Sequence, residues 1–190
     1  MIDKSIALSK AVKNVDDSAE IFGTVTYGFN ENYNLQDAPD WSSYSATYPT
    51  YIDAFLASMK QASDTAGKRL VDVLDIHWYP EAQGTNASGG KTRITEDNTD
   101  PGVATARMQA PRSLWDPSYT EDSWIGQWFA STAFPLIPKL KSSIEKYNPG
   151  TKLAITEFDY GARNHISGGI ATADVLGIYG KYGVYFSTYW

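Results

Sequence analysis

Leu153-Ala154-Ile155-Thr156-Glu157 is an apolar run closed by a single carboxylate, and Phe158-Asp159-Tyr160-Gly161 follows it without a break. A short apolar run entered through the turn residues Asn148-Pro149-Gly150 predicts a buried strand over 152–157. A titratable group at the carboxyl end of such a strand stands where barrel and open α/β enzymes keep their chemistry. Glu157 is therefore a candidate catalytic carboxylate. A strand-end Glu that points into solvent is the alternative, and the motif alone does not choose between them.

The flanking segments decide what kind of sheet this strand enters. Upstream, Leu70 to Trp78 carries Val71, Val73, Leu74 and Ile76 and predicts a second strand; before it, Thr50 to Ala66 predicts a helix with Ile52, Phe55, Leu56 and Met59 on one face and Gly67 as its stop. Glu20 to Tyr27 predicts another strand, followed by a loop rich in Asn and Gly. Ile2 to Val15, with Ile2, Ile6, Leu8, Ala11, Val12 and Val15 at near-helical spacing and no cap ahead of them, predicts a helix. Pro80 to Ser123 shows no sustained period and reads as one long functional or disordered loop. Trp124 to Tyr147 predicts two helices, because Pro135 and Pro138 interrupt it. Ser167 to Tyr182 is a Gly-interrupted helix and Val184 to Trp190 a last strand. Four strands alternating with helices imply right-handed crossovers and a parallel sheet. A closed barrel of eight such units takes about 250 residues, so the expected architecture is α/β, half of a (β/α)8 barrel, with residues 1–190 as one partial domain whose two ends both look cut.

Composition narrows the function. The net charge of -6 and pI near 4.8 argue against a nucleic-acid partner, which would need a basic face. No apolar stretch is long enough to span a membrane. The chain has no Cys, which excludes a disulfide framework and thiolate metal sites. Met1-Ile2-Asp3-Lys4 opens no basic-then-apolar leader, so no secretory signal is expected in this chain. Aromatic residues reach 14%, with many Tyr and Trp beside Gly, Asn or Pro, and rings in loops can stack on sugars or bases.

Sugar hydrolysis is the reaction best served by strand-end carboxylates among aromatics. It needs two carboxyl groups, about 5 Å apart when configuration is retained, one attacking the sugar carbon and the other handling the proton. Glu157 is the candidate nucleophile. Glu81, just past the second strand, is the acid one would nominate from this chain alone; a solvated loop Glu is its ordinary reading. His77 and Tyr79 also sit at a strand's carboxyl end, where they could hold a carboxylate, although a packed His is the commoner case. With His77 and His165 as the only histidines, and no HExxH or EF-hand pattern, neither a metal nor a cofactor is expected. GxSxG, Walker A and GxGxxG patterns are absent too. Trp124 and Trp128, four apart, share a helical face. Facing solvent they form a sugar platform and facing the sheet they are core, which spacing alone favours. Trp190 is expected at the same mouth as Glu157. Asn86-Ala87-Ser88 fits a glycosylation acceptor.

Several segments, in order, resemble glycoside hydrolase family 44, a group of secreted bacterial endoglucanases and xyloglucanases. They are Ser18-Ala19-Glu20-Ile21-Phe22-Gly23, Tyr33-Asn34-Leu35-Gln36-Asp37-Ala38-Pro39-Asp40-Trp41, Asp75-Ile76-His77-Trp78-Tyr79-Pro80-Glu81, Ser113-Leu114-Trp115-Asp116-Pro117, Ser123-Trp124-Ile125-Gly126, and the tail from Ile155-Thr156-Glu157 through Asn164-His165-Ile166-Ser167-Gly168-Gly169 to Tyr189-Trp190. The resemblance implies a (β/α)8 barrel with an added β-sandwich, acting on β-1,4-glucans with retention, and this chain as about strands five to eight. It implies that Glu157 is the nucleophile at the end of strand seven and that Trp190 closes the sugar site at the end of strand eight. Tyr27, His77, Tyr79, Trp124 and Trp128 are implied to line the substrate cleft. The sequence departs from the family in one respect that matters: the acid/base Glu belongs to an Asn-Glu-Pro motif upstream of the first helix, and no such motif occurs here. Glu81 then becomes a loop or subsite residue, the isolated chain is expected to be inactive, and an N-terminal half-barrel is the expected missing partner. A non-catalytic carbohydrate-binding domain built on the tryptophans is the alternative.

Overall fold

A computed structural model describes residues 1–190. Along the chain run α1 (Ile2–Val15), β1 (Phe22–Thr26), α2 (Phe29–Asn34), α3 (Tyr51–Ala66), β2 (Val73–Trp78), β3 (Gln83–Thr85), β4 (Lys91–Arg93), α4 (Pro101–Gln109), α5 (Trp124–Ala133), α6 (Leu136–Tyr147), β5 (Lys152–Phe158), α7 (Ile166–Tyr182) and β6 (Phe186–Tyr189). The main sheet has the order β1-β2-β5-β6, and β3-β4 form a separate hairpin. Each step across the main sheet is made through at least one helix, the connection that parallel neighbours require. β1 and β2 pair in parallel, Phe22 against Val73 and Thr24 against Asp75, with a slip in register between Thr24 and Thr26. No helix is long and apolar enough to cross a membrane.

Local signals explain the boundaries. The Thr50 hydroxyl caps α3 by accepting from the Asp53 N–H, and Gly67 ends that helix at φ 67°, a left-handed value that glycine adopts without strain. α5 ends before Pro135, and Pro138 falls in the first turn of α6, where a missing N–H costs no helical bond. The chain divides into two compact units. The first comprises Met1–Trp78, Lys141–Glu157 and Tyr185–Thr188; the second comprises Tyr79–Leu140, Phe158–Val184 and Tyr189–Trp190. In the first, Tyr51, Phe55 and Met59 of α3 pack with Ile2, Leu35, Leu70 and Val71.

Two expectations are corrected. The segment after Tyr27 is not a loop: it forms α2 and two short 3-10 turns, and the Phe29 and Tyr33 rings stack at 5.9 Å. Nor is Pro80 to Ser123 one long loop. It contains the β3-β4 hairpin, α4 and a 3-10 turn over Ala110–Leu114. A polar residue organises it. Arg107 of α4 is fully buried and donates to the carbonyls of Ile94, Glu96, Asn98 and Tyr160 and to the Ser167 hydroxyl, at 2.9 to 3.0 Å. Gly84 of β3 and Gly102 of α4 let hairpin and helix meet backbone to backbone; a Cβ on Gly102 would lie 2.2 Å from the Thr85 carbonyl oxygen. Asn86 serves the hairpin turn: its Oδ1 accepts from the N–H groups of Ser88 and Gly90, and its Nδ2 donates to the Thr92 hydroxyl.

Helix α1 forms where expected but buries a different face. Ile2, Ser9 and Lys13 are buried, whereas Leu8, Val12 and Val15 are exposed. The Lys13 ammonium reaches Asp72 at 3.1 Å.

Candidate active site

Glu157 is the penultimate residue of β5 and His77 the penultimate residue of β2, neighbouring strands that end side by side. His77 Nδ1 lies 3.1 Å from Glu157 Oε2. The imidazole is nearly covered, at 11% side-chain exposure, and the carboxylate remains partly open at 26%. A carboxylate aimed by a covered ring yet reachable from solvent has the surroundings that a nucleophile needs. Tyr27 follows β1 directly and is exposed; its N–H donates to the Glu31 carboxylate at 2.5 Å.

Beneath this pair lies a residue that the sequence reading passed over. Asp75 is 3% exposed, inside the apolar run of β2 and two residues before His77. Its Oδ1 accepts from the Thr156 N–H at 3.2 Å, and both its oxygens lie 2.9 Å from the Thr156 hydroxyl. Burial pushes this carboxyl above the ordinary aspartate range; the Thr156 hydrogen bonds and the nearby His77 oppose the shift, and Glu157 adds to it. The signal available in the sequence was a lone acidic residue interrupting Val73-Leu74-Asp75-Ile76, which hydrophobic patterning discounts.

The remaining candidates belong to the second unit. Tyr79 is half-buried, and the Glu81 carboxylate is occupied by Arg93 at 2.6 Å. Glu121, fully covered, accepts from the Ser113 hydroxyl at 2.7 Å, and burial raises its pKa. Trp124 is half-buried, with its ring edge-on to Phe129 at 6.1 Å. Trp128 is 71% exposed, so of the two readings left open for this pair it takes the solvent-facing one, against the preference of spacing alone. Trp190 is 66% exposed; its N–H donates to the Phe158 carbonyl, and its own carbonyl accepts from Arg163, which also pairs with Asp159 at 2.8 Å. No three His, Asp or Glu side chains converge as metal ligands.

A sheet wound through helices, with a His-held carboxylate at a strand end, places the chain in the α/β class. The family model for glycoside hydrolase family 44 matches residues 1–82. The whole chain is 61% identical over 190 residues to an endoglucanase A of Paenibacillus lautus, and it covers 26% of that protein. A family 44 endoglucanase structure from Clostridium acetobutylium superposes with a TM-score of 0.94 at 56% identity, covering 100% of this chain and 36% of that one. A Paenibacillus polymyxa xyloglucanase of the family, solved with xyloglucan, gives 0.93 at 54% identity with the same coverage. The chain is thus similar along its whole length to family 44 proteins, and it spans only about a quarter to a third of the length of these relatives.

Proposed function

We propose that residues 1–190 form a single partial catalytic domain, about strands five to eight of a (β/α)8 barrel, from a retaining endo-β-1,4-glucanase or xyloglucanase. The observation that carries this reading is the Glu157 carboxylate at the end of β5, held by His77 at 3.1 Å. Glu157 attacks the anomeric carbon as the leaving-group oxygen departs, forming a covalent glycosyl-enzyme that water then hydrolyses with retention. Departure needs a proton donor on the far side of the bond, and that donor is the acid/base Glu of the preceding half-barrel. Tyr27, His77, Tyr79, Trp124, Trp128 and Trp190 are assigned to glucan contact. The full-length protein is assigned to the outside of the cell, where its polymeric substrate lies.

The test mixes this chain with the N-terminal barrel portion of the Paenibacillus lautus relative and measures reducing ends released from xyloglucan and soluble cellulose. Neither piece alone should turn over, and the mixture should. Robust turnover by this chain alone would refute the missing donor. A glucan-binding module without catalysis is a second reading, favoured by the exposure of Trp128 and Trp190. Retardation in a xyloglucan gel with no turnover in any mixture selects it.

A further inference from the structure

Asp75 and His77 are two residues apart on β2, so the pleat puts their side chains on one face. They nevertheless meet consecutive residues of β5: Asp75 binds Thr156, and His77 binds Glu157. A regular strand would turn Thr156 and Glu157 to opposite faces. Thr156 gives both of its donors to one acceptor. Its N–H goes to the Asp75 side chain at 3.2 Å, and its hydroxyl goes to the same carboxylate. A side-chain carboxylate that accepts a strand N–H takes the place of a backbone acceptor there and ties the strand to the side chain that holds it.

We propose that Asp75 is the positioning residue of this site: by accepting from both the N–H and the hydroxyl of Thr156 it fixes the backbone just before Glu157 and so holds that carboxylate against His77, the three side chains forming one coupled group. The proposal deepens the glycosidase reading and rests on it for the word nucleophile. The carboxylate does not touch the substrate. It acts through the residue just before Glu157 and through the charge that it places beneath the imidazole. Among the strands beside it, β1 offers only Thr24 and Thr26 near this level, so the titrating neighbours are His77 on β2 and Glu157 on β5. The signs of the coupling follow from charge. A cationic His77 favours the ionised Asp75, whereas an ionised Glu157 disfavours it.

The experiment is an NMR titration of this chain, carrying carboxyl-labelled Asp and amide-labelled Thr, in the wild type and in His77→Gln, Glu157→Gln and Thr156→Val. The Asp75 carboxyl is expected to titrate above the ordinary aspartate range, and the Thr156 amide shift should follow the same midpoint. Relative to wild type, His77→Gln should raise the Asp75 proton affinity and Glu157→Gln should lower it, each by about threefold or more. Thr156→Val removes the hydroxyl donor and should raise it further. An Asp75 midpoint that ignores both His77→Gln and Glu157→Gln, or a Thr156 amide indifferent to it, overturns the proposal and leaves a merely structural carboxylate. The mixing assay on xyloglucan is independent: its failure with the coupling intact removes the glycosidase reading, and its success with the coupling absent removes only the role of Asp75.

Discussion

Aiming a carboxylate and keeping it reachable are opposed demands, and the Glu157 and His77 pair meets both by covering the ring and leaving one side of the acid open. Glu157→Gln keeps the shape and removes the proposed nucleophile; in the two-piece assay it should lower turnover on the order of 10⁴-fold, read from reducing ends. Trp128, exposed on α5, contacts little that folding depends on. Trp128→Ala should therefore leave the melting temperature unchanged while weakening xyloglucan retardation by about fivefold, roughly 1 kcal/mol. Asp116 answers to pH in the opposite sense from Asp75. Ser118 donates to it through hydroxyl and N–H and Arg112 pairs with it, which holds its carboxyl down to about 2. A depressed folded value stabilises above the unfolded value near 3.8 and is lost as pH falls toward 2. The stability gap between wild type and Asp116→Asn in denaturant melts should accordingly narrow between pH 4 and pH 2. At this scale Glu157 and His77 were legible because each closes an apolar run. Asp75 was not, because patterning treats a charge inside a strand as noise, and the surroundings of Trp128 stayed open because spacing gives a helical face but not what it meets.

Among the elements, β1, β2, β5, α3 and α7 were read nearly to their ends, since each has either a continuous apolar run or an apolar face, and α3 has Thr50 and Gly67 as visible caps. The hairpin β3-β4 and α4 were invisible for a physical reason. α4 turns Val103, Ala104 and Arg107 inward, so its buried stripe ends in the residue that sequence reading assigns to solvent. That Arg satisfies four carbonyls and a hydroxyl at once, and these acceptors lie on the segments around Ile94 to Asn98, Tyr160 and Ser167. Arg107→Met, close in length and without donors, would leave those acceptors buried and unpaired. It should cost at least about 3 kcal/mol in a urea melt, with the loss seen first as deprotection of amides in residues 83–109.

For the molecule as a whole, the exposed stripe Leu8, Val12 and Val15 on α1 and the exposed Ile166, Ile170 and Leu176 on α7 are more apolar surface than a free-standing domain usually shows. They fit the proposed origin of the chain in a longer barrel. The isolated protein should bind a hydrophobic dye, and the N-terminal piece of a longer relative should suppress the binding, as followed by dye fluorescence. Salt should act unevenly on this molecule. Its open ion pairs, such as Lys60 with Asp64 and Lys91 with Asp122, are exposed to counterions and weaken as ionic strength rises. Arg107, by contrast, is buried and held in direct contact by carbonyl dipoles and a hydroxyl, so counterions reach its contacts far less. In concentrated salt the surface should relax while the fold around α4 keeps its grip, a form of halotolerance set by one guanidinium.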